Sequence, residues 1–152
     1  MNATSPPLSS AIHIRQAMPA DAAALAELVA ELGYPTEQQE LQQRLDALTA
    51  AGDQVLVAVR QEQIVGVVLL HRTYFLHRPP DGRVVTLVVA AEYRSQGIGQ
   101  QLLRAAEQAL LQLGCGRIEI SSGARREAAH RFYLREGYSE QPKRFIKPVP
   151  AE

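Results

Sequence analysis

Residues Arg94-Ser95-Gln96-Gly97-Ile98-Gly99 stand between an apolar run and a helical pattern. A glycine-rich turn at such a junction can hold an anion: backbone N–H groups at a helix N-terminus converge on it, and glycine permits close approach. Two phosphate motifs are excluded by spacing. A P-loop requires a lysine directly after its last glycine, and Gly99 is followed by Gln100. A dinucleotide fingerprint requires a third Gly or Ala where this chain has Leu102. What remains is a cradle of N–H groups from Gln96 to Gln100, or a tight turn whose glycines serve packing alone.

A second constellation is "AAHRFYLREGY", Ala128 to Tyr138. Ala129, Phe132 and Tyr133 fall at i, i+3 and i+4, which puts one small residue and two aromatics on one helical face. Such a stripe serves a core equally well. Tyr133 differs from Phe132 in carrying a hydroxyl that needs a partner when buried, and a phenol can donate a proton.

The elements that must position these residues follow from periodicity and punctuation. "IHIRQA" (12–17) alternates like a strand. Pro19 and Asp21 open a helix with Leu25, Leu28, Val29 and Leu32 on one face, and Gly33 stops it. Thr36 to Gln39 reads as a capping box for a second helix bearing Leu41, Leu45 and Leu48. "QVLVAVR" and "IVGVVLL" form a hairpin around Gln61-Glu62-Gln63. After a polar, aromatic loop come the strand "RVVTLVVA" and a long helix from Gly97 to Leu113 that buries Leu102, Leu103, Ala106 and Leu110. "RIEISS" is the next strand, "RREAAHRFYLRE" a helix closed by Gly137, and "RFIK" a last alternating segment, with a further short strand near Tyr138. The order β-α-α-β-β-β-α-β-α-β predicts an α/β (α+β) domain: a mixed, mostly antiparallel sheet of six to seven strands flanked by four helices.

With 152 residues the chain suits one core. Residues 1–10 read as a disordered leader and 11–152 as a single domain. Lys plus Arg equals Asp plus Glu at 16 each, which argues against a broad nucleic-acid surface. No apolar run approaches the roughly 20 residues of a membrane span, and the first ten residues lack the pattern of a secretory signal. A lone cysteine, Cys115, leaves neither a disulfide nor a cysteine-rich zinc site and fits a cytoplasmic setting. His71 and His77 alone make no metal signature, so no catalytic metal is expected.

Taken together, the two motifs resemble the GNAT superfamily of acyl-CoA-dependent N-acetyltransferases. The family's Arg/Gln-x-x-Gly-x-Gly/Ala turn matches Arg94 to Gly99, and its Ala-x-x-Phe-Tyr-x-x-x-Gly-Phe helix matches Ala129 to Tyr138. Within the superfamily, "AHRFYLREGY" with "RFIK" is most similar to aminoalkylphosphonate and aminoglycoside-type small-molecule enzymes. The resemblance implies acetyl-CoA as donor, held by Leu87, Val88, Val89, Arg94, Ser95, Gln96, Gly97, Ile98, Gly99, Gln100, Ala129 and Tyr133. It implies a direct attack of a primary amine on the thioester, an oxyanion donor in the backbone near Val88 or Val89, and Tyr133 as general acid. Tyr34, His71, Tyr74, Phe75 and His77 are the expected acceptor-lining residues, and a homodimer is common in the family.

The proton acceptor is open. Relatives often place a carboxylate one to four residues before the position of Leu87, where this chain has Arg83, Val84, Val85 and Thr86. Glu119 acting through water, His71, His77, or attack by the neutral amine fraction alone all satisfy the chemistry. Arg126 stands where many relatives carry asparagine. Arg125, Arg126, Arg131 and Arg135 form a basic helix face, for the 3′-phosphate of coenzyme A or for solvent. Arg72 and Arg78 favour a substrate with an acidic group beside its amine. Two rival functions are a non-catalytic acyl-CoA sensor, which fits the missing strand acid, and a protein N-terminal or lysine acetyltransferase, which would need an open peptide groove.

Overall fold

The computed structural model describes residues 11–121, 127–141 and 144–150. Five strands, β1 (His13–Gln16), β2 (Gln54–Arg60), β3 (Gln63–Thr73), β4 (Asp81–Val89) and β5 (Arg117–Ile120), form one sheet in that spatial order. The first three pairings are antiparallel. The fourth, β4 with β5, is parallel, because helix α3 (Ile98–Gln112) carries the chain back across the sheet. Helices α1 (Ala22–Glu31) and α2 (Gln38–Ala50) lie between β1 and β2 in sequence, and α4 (Glu127–Arg135) follows β5. The described residues fall into two compact units, the first ending at Ser121 and the second beginning with α4.

In the first unit the sheet is covered on both faces. One face carries Val57, Val67 and Val88, which pack with Leu25 and Leu28 of α1 and Leu45 of α2. The other receives α3, whose Leu102, Leu103, Ala106 and Leu110 are fully buried. The helix lies close because two strand positions lack a Cβ. One added at Gly66 would meet Leu102 Cδ1 at 2.8 Å, and one at Gly82 would meet Leu110 Cδ1 at 2.7 Å. Cys115, just past α3, is buried, and burial raises its thiol pKa above the ordinary value.

Local chemistry explains the remaining joints. The β2–β3 hairpin has a two-residue turn with Gln61 and Glu62 both at positive φ (51° and 66°), the requirement of a type I′ turn. Ahead of α1, Asp21 accepts the Met18 N–H at 2.7 Å and both Arg15 terminal nitrogens at 2.8 and 3.0 Å. The Arg15 hydrogen bonds outweigh burial and hold the Asp21 carboxyl below its usual range. The expected capping box at Thr36 does not form: Glu37 is the N-cap of α2, and the Thr36 hydroxyl donates to the Tyr34 carbonyl.

The expectation of six to seven strands is corrected to five among the described residues. Tyr138 and Arg144–Lys147 are not in strand conformation, and Phe145 and Ile146 are exposed. Alternation marks a strand only where a neighbour accepts its backbone hydrogen bonds, and these residues have no such ladder. The leader (1–10), Arg125 and Arg126 lie outside the described residues.

Candidate active site

The decisive geometry is where β4 loses its neighbour. Its parallel ladder with β5 runs only from Asp81↔Arg117 to Val84↔Ile120. From Val85 to Val89 the strand keeps β3 on one side and has no strand on the other among the described residues. At this point the β3 register also slips: Leu70 opposes Val84 and Leu69 opposes Thr86, so Val85 is an unpaired bulge residue. The Ala90 N–H bonds to the Val65 carbonyl at 2.9 Å. Strand alternation then turns the backbone groups of Leu87 and Val89 to the open edge, and those of Val88 toward β3.

The open edge leads directly into the glycine turn. A 3-10 turn (Ala91–Tyr93) is followed by Ser95 and Gly97 at φ 63° and 79°. Gly97 is the N-cap of α3, and the first intrahelical donor is the Gln101 N–H, bonded to the Gly97 carbonyl at 3.1 Å. The N–H groups of Ile98 and Gly99 therefore project from the helix end without an intrahelical acceptor. The Ile98 side chain is buried against Gly66, so only its backbone is available at the turn. Arg94 Nε donates back to the Val89 carbonyl at 3.3 Å, and the Gln96 side chain accepts from Arg60 at 2.8 Å. Strand edge and helix end are thus joined into one continuous backbone surface.

A polar row crosses the sheet at the other end of this edge. The ladder sets His71 of β3 opposite Arg83 of β4, and Arg83 opposite Glu119 of β5. His71 Nδ1 lies 2.9 Å from Asp53 Oδ1. Arg83 Nη2 donates to Ser121 Oγ at 2.7 Å, while its Nε stands 3.8 Å from Glu119 Oε1 and is buried without a hydrogen-bond partner among the described residues. The sequence showed Arg83 only as the absence of an acid, and nothing marked Asp53 or Ser121, because register is invisible in a single chain.

The β3–β4 loop gathers three expected lining residues by stacking. Arg72 lies over the Tyr74 ring at 4.7 Å, Arg78 over Phe75 at 3.9 Å, and Phe75 meets His77 edge-on at 5.8 Å. Both arginines are also engaged elsewhere. Arg72 donates to the Leu113 carbonyl at the end of α3, and Arg78 pairs with buried Asp81, which Arg117 binds as well. Burial pushes the Asp81 carboxyl up, but the two arginines outweigh it and hold it below the usual range. The sequence argument that gave Arg72 and Arg78 to a substrate anion loses its basis, since both support the loop. Tyr34 is exposed between α1 and α2. A cleft of about 420 Å3 between α1 and the β2–β3 turn is lined by Glu27, Glu31, Glu62 and Glu92 among others, a poor lining for phosphates.

In the second unit, Ala129 and Tyr133 are half-buried on α4. The Tyr133 ring lies 5.4 Å from Phe132 and 6.2 Å from Tyr138, so the three aromatics form one cluster.

Residues 22–138 match the model of the Acetyltransferase (GNAT) family. The chain belongs to that family. It is 42% identical over 94 residues to the aminoalkylphosphonate N-acetyltransferase of Salmonella typhimurium, covering 61% of each protein. The uncharacterized N-acetyltransferase YhdJ of Bacillus subtilis is 30% identical, over 80% of this chain and 87% of that one. Among solved structures, a GNAT family acetyltransferase of Staphylococcus aureus superposes with a TM-score of 0.77 at 26% identity, covering 91% of this chain and 98% of the other.

GNAT acetyltransferases use acetyl-CoA as donor. An extended amide-bearing arm can pair with Leu87 and Val89, and a pyrophosphate suits the positive end of α3. Among the described residues no group of three His, Cys, Asp or Glu is placed to hold a metal. No helix among them is long and apolar enough to cross a membrane.

Proposed function

We propose that the chain is an N-acetyltransferase that moves an acetyl group from acetyl-CoA to the primary amine of a small molecule. The observation that carries this reading is the open β4 edge from Val85 to Val89 running into the N–H groups at the start of α3. An edge strand offers hydrogen bonds to an extended partner, and here the only continuation is an anion-binding turn.

The residues then divide the work. Leu87 and Val89 align the donor through the backbone groups they turn to the open edge, and an N–H of that edge polarises the thioester carbonyl. Arg94 to Gln100 hold the pyrophosphate, and Ala129 of α4 is a further cofactor-binding residue. Tyr133 protonates the departing thiolate: a phenol of ordinary pKa about 10 can donate to a thiolate whose acid lies near about 8.5. Glu119 through water is one candidate for the base, and Tyr34, His71, Tyr74, Phe75 and His77 line the acceptor side. The similarity to the Salmonella enzyme supports an acceptor with an acidic group beside its amine. The side chain of Arg83, 36% exposed, is the cation placed to meet that group. A single domain over 11–152, a homodimer, a cytoplasmic setting and metal-free catalysis complete the reading. A non-catalytic acyl-CoA sensor is the alternative.

Calorimetric titration with CoA, and CoA release with 2-aminoethylphosphonate and simple alkylamines, test this. Gly97→Val, which places a β-branched residue at φ 79°, should weaken CoA at least about tenfold. Binding without turnover across the amines would support the sensor. Undiminished binding by the variant would remove the turn from the site.

A further inference from the structure

We infer that His71, oriented by Asp53, is the group that takes the proton from the attacking amine; this rests on the acetyltransferase reading above. The inference starts from the sheet face that carries Val67. Leu69 and His71 follow at two-residue steps on that face, and cover thins along it: Val67 is buried, Leu69 half-buried, and the His71 side chain 43% exposed. The imidazole therefore emerges where the hydrophobic layer of α1 and α2 gives out. Asp53, in the turn between α2 and β2, is 14% exposed in its side chain and makes the 2.9 Å contact to Nδ1. A carboxylate there accepts the Nδ1–H, which leaves the Nε2 lone pair directed away from Asp53 as the basic site.

The position fits the reaction. His71 pairs with Arg83, and the unpaired Val85, where the open edge begins, is two residues farther along β4. That separation is about 5 Å across strands and about 7 Å along them, within reach of a side chain and one small amine. Three charged groups surround the imidazole by register: Asp53 beside it, Arg83 across from it on β4, and Glu119 beyond Arg83 on β5. Glu119 is engaged as the counter-charge of Arg83, and Arg72, the next residue in sequence, reaches Leu113 instead. His71 is the side chain of this row that can both accept a proton and hold a fixed tautomer.

The step balances without another reactant. The amine nitrogen bonds to the thioester carbon, one N–H proton passes to His71 Nε2, and the carbon–sulfur bond breaks. The thiolate takes a proton from Tyr133, His71 gives its proton to solvent, and Tyr133 regains one from solvent. Asp53 is a positioning residue, since it acts only through His71.

The test uses the full chain with 2-aminoethylphosphonate and acetyl-CoA, after thermal melts of each variant. H71Q should lower kcat at least about 100-fold, and should abolish the fall of kcat/KM on the acid side of the profile, with CoA affinity unchanged. D53N should lower kcat about 10- to 100-fold with CoA affinity unchanged, because Nδ1 loses the acceptor that fixes the tautomer. Nitrogen NMR of the His71 ring in the ligand-free protein should show the proton on Nδ1, a state that D53N weakens. An active wild type with unchanged rate and acid limb in H71Q, or a ring protonated on Nε2, overturns this inference alone. Should H71Q fail to fold, the D53N rate and the NMR tautomer decide. A wild type that binds CoA but acetylates no amine overturns both readings.

Discussion

Gly66 of β3 lies directly beneath Leu102 of α3, so close that a Cβ on the glycine would stand 2.8 Å from Leu102 Cδ1 and 3.1 Å from the Val88 carbonyl oxygen. The contact sets the height of α3 above the sheet, and so the position of the helix end that follows the open edge. Gly66→Ala should cost about 1–3 kcal/mol in urea unfolding. In the folded fraction it should also weaken CoA, because the N-terminal turn of α3 must lift. A variant with wild-type stability and affinity would show that the helix tolerates displacement.

Tyr133→Phe removes one oxygen and keeps the ring packed between Phe132 and Tyr138. If its hydroxyl protonates the leaving thiolate, kcat should fall about 100-fold while the melting temperature stays within a degree or two. Equal losses in stability and rate would reassign the hydroxyl to anchoring α4.

Acid should unfold the protein through two carboxyls. Asp21 and Asp81 are both held below the ordinary range, by Arg15 and by Arg78 with Arg117. A carboxyl lowered in the fold stabilises it fully above the unfolded value of about 3.9, and that contribution is lost as pH falls through the lower folded value. The melting temperature should thus be flat from pH 7 to about 5 and drop below about 4. Asp21→Asn and Asp81→Asn should each be less stable at pH 7 and lose less on acidification, as followed by circular dichroism.

The hairpin turn stores a correctable cost. Gln61 and Glu62 occupy the left-handed region without glycine, at φ 51° and 66°. Gln61→Asn with Glu62→Gly should raise stability by about 1 kcal/mol, measured by denaturant midpoint. No gain would mean that the two side chains make compensating contacts.

What the sequence discloses divides by the physics behind each feature. The α3 face (Leu102, Leu103, Ala106, Leu110), the helix stop at Gly33 and the glycine turn are written in local periodicity and backbone permissiveness, which one chain displays. The polar row is not local: His71, Arg83 and Glu119 meet only through strand register, and Asp53 arrives from a turn whose sequence reads as ordinary loop. The same limit explains the excess strands, since "RFIK" alternates correctly yet has no ladder to join. It also explains Arg72 and Arg78, whose charges read as available until the structure shows what they hold.

The burial of Cys115 has a practical corollary. The chain's single thiol is 7% exposed, and its burial disfavours the reactive thiolate. A chromogenic disulfide reagent added to the native protein should therefore register the sulfhydryl liberated from the donor, with little background from the polypeptide. Turnover can be followed continuously by colour, and a delayed second increment would report the moment the fold opens.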